Sequence, residues 1–340
     1  MKQPNLPMKR MVQKALFFAL LVFCLPRMGH SAHLFVNPSC APNCTGIWSN
    51  AYSHLQDALD VATDGDTIWI AAGTYYPSKD KDGNSTTGRT ATFNLKPNLK
   101  IYGGFAGNET SPTQRDIANN PTILSGDIGT LNSKSDNSYS VVYSQSDGTD
   151  LLIDGITIRD GNANGTGGLE SNGGGLYVWS YTELVLQNCI VTHNYARSGG
   201  GGIYVLGNAD IEIDNCTISF NHADSVSAAG AGAGFWAEAT SEVIIKNSLF
   251  ENNRGKNGAA IVKAGGQLEI ENVDFVKNKG HTTGGAVFIT GSTLNAELVA
   301  CRFIDNEGLA GGALANSAPG VELYDCVFYG NNALHKGGAV

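Results

Sequence analysis

The sequence predicts an all-β fold: a right-handed single-stranded parallel β-helix with a short N-terminal capping helix. Three observations predict it. A phrase ending in Asn recurs from Asn188 to Asn331, as Asn188-Cys-Ile-Val-Thr-His-Asn194, Asn215-Cys-Thr-Ile-Ser-Phe-Asn221 and four further copies ending at Asn253, Asn278, Asn306 and Asn331, with spacings of 27, 32, 25, 28 and 25 residues. A glycine phrase keeps the same beat at Gly200-Gly-Gly-Ile203, Gly284-Gly-Ala-Val287, Gly311-Gly-Ala-Leu314 and Gly337-Gly-Ala-Val340, with a looser copy at Gly258-Ala-Ala-Ile261. Between the phrases lie short runs alternating apolar and polar residues, the period of strands with one buried face.

Each element follows from that period. One unit predicts strands at Gly202–Val205, Asp210–Asp214 and Cys216–Phe220. So short a unit cannot bury its inner face alone, and stacking coils about 4.8 Å apart pairs every strand with its neighbour and creates a continuous core. The repeated Asn is expected at a bend, as a side-chain ladder between coils, and the Gly pair at a second bend needing positive φ or close backbone approach. Phe250, Phe275, Phe303 and Phe328, three residues before their Asn, are expected to stack inside. Cys189 with Cys216, and Cys301 with Cys326, read as buried thiol stacks, with inter-coil disulfides as the alternative. Upstream, Asp154-Gly-Ile-Thr-Ile-Arg-Asp160 places Asp160 in the Asn position. Earlier strands are expected at Thr67–Ala71, Ala91–Leu95, Leu99–Gly103, Thr122–Leu124 and Ser140–Tyr143, and polar excursions at Lys79–Gly88 and Asn108–Asn120. Tyr52–Ala62 predicts a helix with Leu55, Ala58, Leu59 and Ala62 on one face, capped by Ser49 or Asn50, plugging the first coil.

Domain organisation divides into a signal peptide over 1–32, a cap with the amphipathic helix over 33–66, and the β-helix over 67–340. The opening segment joins Lys9, Arg10 and Lys14 to the apolar run Ala15–Leu25, too short to span a bilayer, and a small residue at the expected cut after Ala32. Secretion, or display at the outer-membrane surface, is therefore expected. No transmembrane helix is expected in the mature chain. The chain stops inside a glycine phrase, so a further C-terminal domain is expected beyond Val340. The formal charge is −9; without the five basic residues of the first 32, it leaves 17 basic against 31 acidic side chains, or −14. That sign argues against a nucleic-acid partner. Export permits disulfides, and Cys40 and Cys44, in one Pro-rich loop, are the candidate pair. Zinc there would have only His33 and His54 nearby, short of four ligands.

The Phe-x-x-Asn and Gly-Gly-Ala-[Ile/Leu/Val] phrases over roughly 234–340 resemble the repeats of polymorphic outer membrane proteins. That resemblance implies a surface-displayed β-helix passenger acting as an adhesin, with a host-surface or glycan ligand. The upstream half resembles the opening of bacterial right-handed β-helix repeat proteins, on Gly65-Asp-Thr-Ile-Trp69, Ala72-Gly-Thr-Tyr75, Ile101-Tyr-Gly-Gly-Phe105 and Pro121-Thr-Ile-Leu-Ser-Gly-Asp127.

The same pectate-lyase-like solenoid also houses polysaccharide lyases and hydrolases, and fold alone does not decide between these roles. A lyase on acidic glycans would need carboxylates for calcium and an Arg or Lys base; a hydrolase would need paired carboxylates. Asp127, Asp154, Arg159 and Asp160 are the catalytic candidates, beside a glycine-rich excursion over 161–175 that could wall a groove. The bland alternative makes the aspartates turn residues and Arg159 a solvated strand residue. His193, His222, His281 and His335 fall at different offsets from the Asn and read as solvated loop residues. No cofactor is expected, calcium entering only under the lyase alternative. Tyr75, Tyr76, Tyr102, Tyr177, Tyr195, Tyr204 and Trp236 are spread over several coils, and Trp179 and Tyr181 are the ligand-binding candidates if an outward aromatic track exists.

Overall fold

The computed structural model describes residues 31–39, 46–145, 149–180, 182–224, 232–238, 241–291 and 295–340. Cys24, Cys40, Cys44, Tyr181 and the signal segment through His30 lie outside them. The described strands form four all-parallel sheets, here numbered in the order each coil visits them: sheet I with ten strands, II with nine, III with seven and IV with eight. In one coil the chain runs through Asp210–Asp214 in sheet I, Thr217–Ser219 in II, His222–Ala223 in III and Phe235–Ala237 in IV. The expected three strands per unit are thus four. The missed one, in sheet III, has only two residues in this coil, too short to show an alternation.

The bend between sheets II and III explains the recurring Asn. Asn278 is fully buried. Its Nδ2 donates to Asn306 Oδ1 at 3.0 Å and to the Phe250 carbonyl at 2.8 Å, while its Oδ1 accepts from the Asn253 amide N–H and Nδ2, both at 3.1 Å. Both donors and both acceptor sites of the amide are therefore filled. The same pattern links Asn194, Asn221, Asn253, Asn306 and Asn331. Asp160 does not occupy this position. Arg159 pairs with Thr192, so Asp160 aligns with His193 and the Gly161 N–H bonds Asn194 Oδ1 at 2.9 Å. The ladder begins at Asn194. The residue before each ladder position, from Asp160 and His193 through Phe220 and Asn252, has positive φ.

A second ladder runs outside, at the bend between sheets I and II. Asn188 donates to Asp154 Oδ1 at 2.7 Å, Asn215 to Asn188 at 2.6 Å and Asn272 to Asn247 at 2.9 Å, and Asn188, Asn215, Asn247 and Asn272 all have positive φ. At the glycine phrase, Gly284 has φ of 55°, and a Cβ on Gly285 would meet the Gly312 carbonyl oxygen at 1.9 Å. One glycine thus supplies the turn and the other the close approach.

Phe250, Phe275, Phe303 and Phe328 stack with centroids 5.5, 4.7 and 4.8 Å apart. Cys189, Cys216, Cys301 and Cys326 are free thiols; the Cys189 N–H bonds Cys216 Sγ at 3.3 Å, and burial pushes the Cys301 thiol up to about 12. Lys263 also points inward, 0% exposed, with Nζ donating to the Glu238 carbonyl at 2.6 Å and Ser241 Oγ at 2.9 Å.

The helix is shorter than its apolar spacing suggests, Leu55–Val61, with His54 at its N-cap and no side-chain cap from Ser49 or Asn50. Sheet I takes Tyr52 instead: its N–H bonds the Phe35 carbonyl at 2.7 Å and its own carbonyl accepts from Asn37 at 2.8 Å. Leu55, Ala58 and Leu59 join the central core, and the helix packs on the strands His33–Val36 and Phe93–Leu95, so it covers the first coil. The cap region contributes a strand as well, His33–Val36, paired with Thr67–Ala71. The remaining early strands lie at Phe93–Leu95, Lys100–Phe105, Thr122–Ser125 and Val142–Gln145, each end within two residues of expectation.

Candidate functional site

The sheet II–III bend where the Asn ladder starts also brings several titratable side chains together. A cleft of about 290 Å³ opens there, lined by Lys134, Asn137, Asp160, His193, Tyr195, Phe220, His222 and neighbouring backbone and amides. Its walls have two origins. Lys134 and Asn137 come from an excursion after Ser125, whereas His193, Tyr195, Phe220 and His222 come from successive coils.

Register brings the second group together. Tyr195 pairs with His222 across sheet III, and His193 and Phe220 occupy the same positive-φ position one coil apart. Their rings stack at 5.2 Å. Asp224 ties the other two: Tyr195 Oη donates to one carboxylate oxygen at 2.5 Å, and His222 Nε2 lies 3.0 Å from the other. Burial, and secondarily the bond to Asp224, hold Tyr195 well above the usual phenol range. Burial lowers His222 below the usual imidazole range; Asp224 opposes this, while Arg254, His281 and Lys134 reinforce it. The His222–Asp224 contact at neutral pH is therefore chiefly a neutral imidazole donating to a carboxylate. These histidines are not simply solvated loop residues. His222 lies in a strand, and His281 accepts from Arg254 Nε at 3.1 Å.

The catalytic candidates separate. Arg159 and Asp160 pair at 2.6 Å beside the cleft, and Ser125 Oγ donates to Asp160 at 3.2 Å. Asp127 accepts the Asn132 N–H on both oxygens at 3.0 Å, organising the excursion that carries Lys134. Asp154 sits at the opposite end of the strand Ile156–Arg159, in a buried ion pair with Arg115 at 2.8 Å. The structure thus brings Asp127, Arg159 and Asp160 to one bend and leaves Asp154 at another.

The aromatic residues also divide. Tyr143, Tyr177, Tyr204 and Trp236 form a column on the outer side of sheet IV, with centroid spacings of 5.9, 5.3 and 4.5 Å. Their faces cover one another: Tyr177 and Trp236 are only 5% and 8% exposed, and burial pushes Tyr177 up to about 12. Trp179, two residues along the same strand from Tyr177, is 43% exposed. Tyr75 points into the core, its hydroxyl donating to the Ala71 carbonyl at 2.9 Å. Sheet I shows another feature missed in the sequence, a row of Glu269, Glu297 and Glu322 in register on three consecutive coils. No helix among the described residues is long and apolar enough to cross a membrane, which says nothing of a β-barrel.

The coil geometry defines a parallel β-helix. The family model for a right-handed beta helix region matches this chain twice, over 130–303 and 175–339. The chain belongs to that family, and its fold is a right-handed parallel β-helix. Comparison with curated proteins and with solved structures yielded no match.

Proposed function

We propose that this chain is an exported β-helix that serves outside the cell as an adhesin-like passenger, binding glycan or host-surface ligands through its outer faces. The resemblance of its Phe-x-x-Asn and Gly-Gly-Ala phrases to polymorphic outer membrane proteins and the signal-like opening segment support that reading. The observation that carries it is the division of labour across each coil. The buried Asn ladder and the phenylalanine stack hold the coils from inside, while exposed side chains such as Trp179, Phe220 and Glu297 stand outside and take no part in the buried ladder. Among the catalytic candidates, Asp127 and Asp154 are engaged in loop and ion-pair bonds, which favours binding over turnover. The test is to assay purified protein on immobilised glycans and host-cell surfaces. Saturable retention without product release is expected; turnover of a glycan, or a cytoplasmic location in its native cell, would contradict it.

The cleft supports a second reading, a polysaccharide-active enzyme on acidic glycans. Asp160, Tyr195 and His222 line one space there, and a carboxylate, a phenol and an imidazole can move protons. Release of unsaturated uronate products, with calcium supplied, would favour that reading.

A further inference from the structure

Phe220 is out of character for its place. The equivalent residues of other coils are Asp160, His193, Asn252, Lys277, Asp305 and Gly330, all polar or glycine and all at positive φ. A bulky side chain is disfavoured in that conformation. Phe220 nevertheless holds φ of 53° and is 49% exposed; one face of its ring lies on His193, and neither turn chemistry nor the core calls for a phenylalanine there. Backbone strain maintained beside a cleft points toward function.

The rest of the cleft narrows the ligand. Buried Asn137 lines it, and its Oδ1 has no hydrogen-bond partner. Lys134 is exposed and in none of the ion pairs among the described residues, whereas Asp160 is matched by Arg159. Arg254 adds positive charge one coil beyond His222. An aromatic face with polar walls and a spare cation suits a ring that has C–H groups on its flat side, hydroxyls at its edge and one anionic substituent. The volume lies at the small end for ligand pockets, the scale of one such ring.

Resting on the reading of an extracellular binding protein, we propose that this cleft binds an anionic sugar ring, stacked on Phe220, with its carboxylate or sulfate paired to Lys134. Isothermal titration of the whole protein with a hyaluronan hexasaccharide, a dextran sulfate hexasaccharide and neutral maltohexaose tests it, the first two separating uronate from sulfate. At least one anionic probe is expected to bind saturably and maltohexaose much more weakly. Phe220→Asn installs the residue that the next coil uses at this place, so the fold is expected to survive, as a thermal melt will verify. It should weaken binding about tenfold, the scale of one lost aromatic contact. Lys134→Gln should weaken it about fivefold and flatten its salt dependence. Trp179→Ala tests the outer side of sheet IV instead, and Lys100→Gln, exposed at the start of the strand Lys100–Phe105, should leave binding unchanged. No binding by either anionic probe, equal binding of maltohexaose, or wild-type affinity in both cleft variants would overturn the proposal. Loss of binding in Trp179→Ala alone would overturn the cleft but leave the binding-protein reading standing. Cleavage of a probe, abolished in Phe220→Asn, would uphold the cleft and overturn that reading.

Discussion

From Asn188 onward each coil repeats its neighbour, whereas the coils before it are held by pairings that occur once. In the later region the buried amide ladder, the stacked phenylalanines and the outer Asn ladder do the same job at every level. In the earlier region Arg115 bonds Asp154 and lies over Tyr102, and Arg89 donates to the Asn137 and Asn162 carbonyls at 2.8 and 2.7 Å while stacking on Tyr139. Among the described residues, the early coils send long excursions, such as 106–121 and 126–141, between their strands. The cleft lies at the junction, where an excursion from the irregular coils reaches bends of the regular ones.

The largest expected effect is in the regular region. Asn278→Ala removes two donors and two acceptor sites from a dry interior, stranding the Phe250 carbonyl and the Asn253 amide. We expect a loss of about 4 kcal/mol, read by denaturant unfolding. A loss below 1 kcal/mol would mean the ladder is ornament and break the comparison. Arg115→Met tests the irregular region. Leaving Asp154 buried without its partner should cost about 3 kcal/mol, with the Asn188–Asp154 bond the nearest compensation.

Lys263 gives a third, pH-dependent effect. Burial lowers its ammonium to about 8, against about 10.4 in an unfolded chain. Between those values the unfolded state binds more protons, so stability should rise with pH, by about 2–3 kcal/mol from pH 8 to 10. Above pH 10 buried Tyr75, Tyr177 and Tyr204, whose burial raises their pKa, act in the opposite direction, because the unfolded state loses their protons first. Unfolding at stepped pH should show the rise in the wild type and its loss in Lys263→Met. The smallest effect is the most diagnostic of the junction: Phe220→Asn relieves a positive φ and should raise stability by about 1 kcal/mol while removing the stacking face.

What was legible in the sequence follows from what repeats. The Asn, Gly, Phe and Cys positions recur because each contacts its own copy one coil away, so spacing alone exposes them. The short strand at His222–Ala223 carries no period. Asp160 was misplaced by one residue because Gly161, which has no side chain to extend the ladder, holds the aligned position. Tyr52 read as helical on apolar spacing, but an unpaired strand edge claimed its backbone. The cleft was not legible, since Lys134 and His222 lie 88 residues apart and meet only through coil register and an excursion of unpredictable path. Phe220 gave a faint signal: it alone places a large apolar side chain directly before the ladder Asn.

The most direct test of the junction as the recognition site is an imidazole nitrogen NMR titration of the whole protein with the anionic hexasaccharide that binds. The account predicts shifts in His193 and His222, with His33, His54 and His335 unmoved. Saturable binding that leaves His193 and His222 unshifted would contradict it.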